Sequence, residues 1–83
     1  MVEVNAFRCS TSQLATLAQV PERRVFSWIE RGYISPSIQE ADGPGRPRIW
    51  SRGDVRRALI IAQLDDILGV ALMRRITAEW TND

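Results

Sequence analysis

The sequence predicts a single, mainly α-helical domain over residues 1–83, with about four helices and a small β-hairpin. Apolar residues recur at spacings of three and four in four stretches, which is the periodicity of amphipathic helices. A stretch rich in glycine and proline at 43–47 separates the second helical stretch from the third and indicates a turn. A length of 83 residues allows one small core and leaves little room for a second domain.

The composition argues against several functional classes. The chain has no histidine and one cysteine, so we expect no transition-metal site, no cofactor and no enzymatic activity. A single cysteine cannot form an internal disulfide and fits a reducing compartment, and we expect Cys9 to be a half-buried small hydrophobe. No apolar run approaches the length of a membrane span, and the first residues lack a signal peptide. We therefore expect a cytoplasmic protein that does not contact membranes.

Positive charge is concentrated in one central stretch. Residues 41–57 hold five arginines and two aspartates, whereas residues 58–83 hold two arginines and four acidic residues. Every basic residue is arginine, which suits bidentate contacts with phosphate and guanine, although a GC-rich genome would also favour arginine. A local basic patch of this kind is typical of phosphate contact, even in a chain whose net charge is only +1.

Residues 10–32 predict two short helices joined by a tight turn. Ser10 or Thr11 is expected to cap the first helix, whose apolar face would carry Leu14, Leu17 and Ala18, with the small Ala15 allowing close helix crossing. A turn of about three residues around Gln19 and Val20 would follow. Two helices joined in this way predict a helix-turn-helix.

The second helix is the candidate recognition helix, over about residues 21–31. Pro21 suits its first position and Gly32 its end. The spacing of Val25, Trp28 and Ile29 predicts one buried face. The opposite face is open to a partner, and a recognition helix would insert it into the major groove of DNA. That face carries Arg23, Phe26, Ser27 and Glu30.

Residues 38–50 predict a β-hairpin wing. Ile38 and Ile49 are expected to pair as short edge strands around the turn, with Arg46 and Arg48 near its tip. Such a wing could lie along the phosphate backbone or enter the minor groove of DNA. The alternative is a mobile, solvated loop.

Two further helices are expected after this segment. Ser51 and Asp54 predict an N-terminal cap for the third helix, and Gly69 separates it from a fourth helix over about 70–80. The residues expected on the two apolar stripes are Val55, Ala58, Leu59 and Ala62 in the third helix, and Leu72, Ile76 and Trp80 in the fourth.

Several of these stretches together resemble the MerR-type winged helix-turn-helix superfamily. The resemblance rests on Thr-Ser-Gln-Leu-Ala at 11–15, Val-Pro-Glu-Arg-Arg-Val-Phe-Ser-Trp at 20–28, Glu-Arg-Gly at 30–32, Ile-Ser-Pro at 34–36 and Arg-Ile-Trp-Ser at 48–51. It covers roughly residues 10–76 and implies a winged helix-turn-helix that binds duplex DNA. The chain ends before the coiled-coil helix and effector domain of larger members, so we expect a short member.

The resemblance also implies a set of DNA-binding residues. It assigns Arg23, Phe26 and Ser27 to the recognition helix, Arg48 to the wing, and the Thr11 hydroxyl to a phosphate. The neighbouring arginines complete the predicted set, which is Thr11, Arg23, Arg24, Phe26, Ser27, Arg46 and Arg48.

Three positions depart from the family pattern. Gln19 replaces a common turn glycine and would have to adopt a strained conformation. Phe26 replaces a frequent arginine and could meet a thymine methyl or a protein partner. Trp50 replaces a tyrosine and removes a hydroxyl from the wing.

The sequence thus predicts a small, nucleoid-associated transcriptional regulator that binds specific sites on double-stranded DNA. Because one small domain should bind weakly alone, we expect homodimers or head-to-tail arrays on DNA. Two alternatives stay open. One is a phage architectural protein of the excisionase or small terminase subunit type. The other is a protein-interaction module such as an antitoxin, for which Phe26 and the acidic pair at 65–66 are the relevant features.

Overall fold

Four helices form the fold in a computed structural model that describes residues 7–41, 43 and 45–81. They are α1 (Thr11–Ala18), α2 (Glu22–Glu30), α3 (Arg52–Leu64) and α4 (Val70–Thr81). The mainly helical fold and the number of helices are therefore as predicted. Within the described residues, no helix is both long enough and apolar enough to cross a membrane.

The turn between α1 and α2 matches its prediction closely. Ser10 caps α1 reciprocally with Gln13, because each side chain accepts the backbone N–H of the other residue. Gln19 ends α1 in the left-handed region, with φ of 62°, as expected for a side chain that replaces a turn glycine. Pro21 is extended and precedes α2, so the prediction that it is the first helical residue was wrong by one position.

The predicted apolar stripes of α1, α3 and α4 are confirmed only in part, since Leu14, Ala18 and Ala58 are buried as expected. Leu17, Leu59 and Leu72 were expected on buried faces and are exposed instead. Thr11, Asp54 and Thr77 are buried in their place. The buried stripes are Thr11, Leu14, Ala15 and Ala18 in α1; Asp54, Ala58 and Ile61 in α3; and Met73 and Thr77 in α4.

The core is built around two fully buried tryptophans, and each indole N–H has an acceptor. Trp28 Nε1 donates to Asp65 Oδ2 at 2.9 Å, and Trp50 Nε1 donates to Thr11 Oγ1 at 2.9 Å. Trp50 thus joins the 38–50 segment to α1 from inside the core. The pairing with Trp50 explains why the polar Thr11 lies on the buried stripe of α1.

Asp65, just after α3, fixes the orientation of α2. Besides the Trp28 indole, its carboxylate contacts Arg24 Nη2 at 3.2 Å and Arg31 Nη1 at 3.9 Å. Its side chain is only 11% exposed, whereas that of neighbouring Asp66 is 78% exposed. The end of α3 therefore holds α2 by three side chains.

The predicted β-hairpin is not shown in residues 38–50. The described part of this segment makes one single-residue antiparallel bridge, Gln39 to Ile49, and Cys9 makes another with Trp50. Ile38 is exposed and does not pair with Ile49, so the predicted register was wrong by one residue. Pro47 has no N–H for a ladder, and its carbonyl instead accepts the Gln39 side chain at 2.6 Å. The sequence also suggests that Val2, Val4 and Phe7 could pair against this segment, but Val2 and Val4 lie outside the described residues.

Asp54 anchors the 38–50 segment at both of its ends. Its buried Oδ2 accepts the backbone N–H of Ser51, the N-cap of α3, and both the N–H and the hydroxyl of Ser37, all at 2.9 Å. Oδ1 contacts Arg57 Nη1 at 3.3 Å. The capping of α3 predicted from Ser51 and Asp54 is thus confirmed, and the same carboxylate positions the loop that precedes the segment.

We expect Asp65→Ala to lower the free energy of unfolding by about 1–3 kcal/mol, because the buried Trp28 indole loses its acceptor. Asp66→Ala is the matched control and should change it by less than about 0.5 kcal/mol, since its carboxylate is exposed. Urea titrations followed by tryptophan fluorescence measure both. Equal losses in the two variants would contradict the role assigned to Asp65.

We expect Cys9 to react slowly with iodoacetamide in the native protein. Burial raises the pKa of the Cys9 thiol, and the negative charge of Asp54 raises it further. The raised pKa disfavours the reactive thiolate in the folded protein. Because the thiol of the unfolded chain ionises first, the free energy of unfolding should also fall as pH rises above about 8.5. Alkylation at pH 8 with and without urea tests this, and equal rates would contradict it.

Candidate nucleic-acid interface

The open face of α2 is as the sequence predicts. Val25 and Trp28 are buried, whereas Arg23, Phe26 and Glu30 are exposed and Ser27 is half-buried. Phe26, Ser27 and Glu30 lie three, four and seven residues after Arg23, so the four side chains share one surface. No side chain caps α2 at Pro21, which leaves its first turn accessible from outside.

The 38–50 segment lies against this face. The Arg48 guanidinium lies 5.8 Å from the centroid of the Phe26 ring, a distance typical of a cation–π contact. Arg48 Nε also donates to Glu40 Oε1 at 2.5 Å. The arginine predicted for the wing is therefore on the same side of the molecule as the open face of α2.

The start of α1 completes this surface. A shallow cleft lies between the start of α1, the first turns of α2 and the 38–50 segment. Its lining residues are Ser10, Thr11, Ser12, Glu22, Phe26, Ala41, Pro47 and Arg48. Three segments that are distant in sequence thus share one concave surface, to which α1 presents its N-terminus.

Thr11 is mostly buried in this cleft. Its hydroxyl accepts the Trp50 indole N–H, so one of its lone pairs is already used. A hydroxyl that accepts one hydrogen bond still has its own proton to donate.

Arg24 and Arg46 stand apart from this cluster. Arg24 contacts Asp65 and Asp66 at 3.2 and 3.4 Å, and its guanidinium lies 5.9 Å from the Trp28 ring centroid. It is therefore directed towards the end of α3. Arg46 is exposed next to the turn, where its backbone N–H donates to Gly43 at 3.2 Å, and its guanidinium has no ion-pair partner among the described residues.

Glu40 is a charged neighbour of Arg48 that the sequence reasoning missed. In the register set by the Gln39–Ile49 bridge, Glu40 stands opposite Arg48. Opposite charges facing each other across two antiparallel segments are a recognised pairing signal. The predicted pairing of Ile38 with Ile49 was one residue off, and this shift hid the pair.

Comparison with known proteins gives the family. The model for the MerR HTH family regulatory protein matches residues 9–74, which extend from the Cys9 bridge through α1, α2 and α3 into α4. No curated protein matches the chain. Because the family match covers most of the sequence and includes the whole candidate interface, the chain belongs to the MerR helix-turn-helix family of DNA-binding transcription regulators.

Proposed function

We propose that this protein is a transcription regulator that recognises specific sequences of double-stranded DNA, with α2 in the major groove. The 38–50 segment would act as the wing, on the phosphate backbone or in the minor groove. The observation that carries this proposal is the contact between Arg48 and Phe26. Because it joins the segment to the open face of α2, a single duplex can reach Arg23, Phe26 and Arg48 together.

The side chains of α2 suit direct contact with bases. Arg23 is exposed near the start of the helix and has no ion-pair partner among the described residues, so its planar guanidinium is available for guanine. The Phe26 ring, 41% exposed, offers an apolar contact for a thymine methyl. Ser27 can donate to a base or a phosphate. These three residues would supply the sequence preference.

The residues around α2 suit phosphate contact. The start of α1 presents helix N-terminal amides beside the cleft, and the Thr11 hydroxyl has a proton left to donate. Arg46 and Arg48, which both follow the wing turn, would bind phosphates. Arg24, held by Asp65, would contribute by fixing α2 rather than by contacting DNA. Such contacts fix the position of a protein on a duplex without reading its sequence.

We further propose that the protein binds DNA as a homodimer or a head-to-tail array, because one domain of this size offers few contacts. Exposed apolar side chains on α3, on α4 and between them support self-association; they are Leu59, Ile60, Ile67, Val70 and Leu72. Chromosome binding would place the protein in the cytoplasm, at the nucleoid.

A phage excisionase or small terminase subunit would use the same surface, and DNA bending measured by gel mobility would distinguish it from a regulator.

The second candidate function is a protein-interaction module, which the exposed Phe26 ring favours. In that case no fragment of the source genome would be retained by the immobilised protein, and a protein partner would instead cover Phe26.

We expect Arg23→Ala and Arg48→Ala to weaken DNA binding in different ways. Losing the base contact of Arg23 should cost about 1–3 kcal/mol on a specific duplex and little on a random one. Losing the phosphate contact of Arg48 should weaken binding to both duplexes alike. It should also reduce the slope of log affinity against log salt concentration by about one. Fluorescence anisotropy measures both, on a duplex selected from bound genomic fragments and on a scrambled one.

Arg75→Ala is the matched control, since Arg75 is an exposed arginine on α4, outside the proposed interface. It should bind both duplexes as the parent does. Equal affinities of the parent, Arg23→Ala and Arg48→Ala for both duplexes would contradict the proposed function.

A further inference from the structure

Arg48, which the proposed function assigns to a phosphate, already has an anionic partner in the free protein. Its Nε donates to Glu40 Oε1 at 2.5 Å. The same carboxylate oxygen accepts the backbone N–H of Ala41 at 2.8 Å, which holds the carboxylate in place. A carboxylate and a phosphate offer a guanidinium the same kind of charged acceptor. Arg48 cannot give the same Nε proton to both at full strength.

The position of this ion pair allows exchange between the two acceptors. The Glu40 side chain is 52% exposed and that of Arg48 is 25% exposed, so a phosphate can approach the pair from solvent. Exposed ion pairs are weak, because water and salt screen them. The pair engages Arg48 in the free protein and is weak enough for DNA to break.

The backbone around the pair does not depend on it. Gln39 and Ile49 exchange two backbone hydrogen bonds, of 3.1 and 2.8 Å, and the Gln39 side chain donates to the Pro47 carbonyl. Arg48 also keeps its contact with the Phe26 ring. Releasing Glu40 should thus leave Arg48 on the open face of α2, ready for a phosphate.

From these contacts we infer that Glu40 is an intramolecular competitor of DNA phosphate for Arg48. It occupies the arginine in the free protein, leaves it when a duplex binds, and lowers the affinity for duplexes of every sequence by the same factor. This inference rests on the proposed function and deepens it, because it names the residue that sets the strength of binding without affecting sequence preference.

Glu40→Gln tests the inference, since glutamine keeps the shape of the side chain and removes its charge. Fluorescence anisotropy at low salt should show affinity higher by about twofold to fivefold on specific and scrambled duplexes alike. Glu40→Ala, which deletes the carboxylate altogether, should give the same gain. Glu79→Gln makes the same charge change on the exposed surface of α4 and should bind as the parent does.

A double-mutant cycle separates competition from general charge repulsion. When Arg48 is replaced by glutamine, the further change Glu40→Gln should no longer raise the affinity. A gain that persists without Arg48 would overturn the inference, because it would reflect repulsion between Glu40 and DNA.

Two other results would also overturn it. Affinity unchanged in both Glu40 variants would mean that Glu40 does not compete. Lowered affinity would mean that Glu40 instead positions Arg48 for its phosphate. If the parent binds neither duplex, the proposed function fails and the inference fails with it. If the parent binds DNA and the Glu40 variants bind with the same affinity, the inference alone is refuted.

Discussion

The contact between the Arg48 guanidinium and the Phe26 ring joins the two halves of the proposed interface. A cation–π contact at a surface contributes only about 0.5–1 kcal/mol, so it does not hold the segment in place alone. The Gln39–Ile49 and Cys9–Trp50 bridges and the Asp54 carboxylate fix the backbone on either side of it. With the backbone fixed in this way, the weak contact with Phe26 is sufficient to orient the Arg48 side chain.

The interface depends in turn on polar groups in the core. Thr11 accepts from Trp50 and Asp65 accepts from Trp28, so each tryptophan is held in one orientation by a directional bond. An indole N–H left without an acceptor in the core costs free energy, so these bonds add a directional preference to the apolar packing of α1 and α2.

The sequence was sufficient to predict the four helices and the caps of α1 and α3, whereas the start of α2 was placed one residue early. Capping boxes, a turn of three residues and the closing Gly32 are local signals, and so is the left-handed conformation forced on Gln19. The open face of α2 followed from the helical period, because Val25 and Trp28 leave only one side free. The four helices and this face needed no knowledge of tertiary contacts.

What the sequence could not predict depends on partners that are distant in the chain. Leu59 and Ile61 are similarly apolar, yet Ile61 lies on the buried face with Asp54 and Ala58, whereas Leu59 is exposed. Arg24 resembles Arg23 in sequence, but Asp65 draws it towards α3. The register around Ile49 likewise depends on the side chain of Gln39, and with it the pairing of Glu40 with Arg48.

The most direct test of the shared surface is an NMR titration of the ¹⁵N-labelled protein with a selected duplex. We predict that amide resonances of α2 and of residues 45–49 shift together, at the same duplex concentration. Shifts confined to one of the two segments would show that α2 and Arg48 do not meet the same duplex.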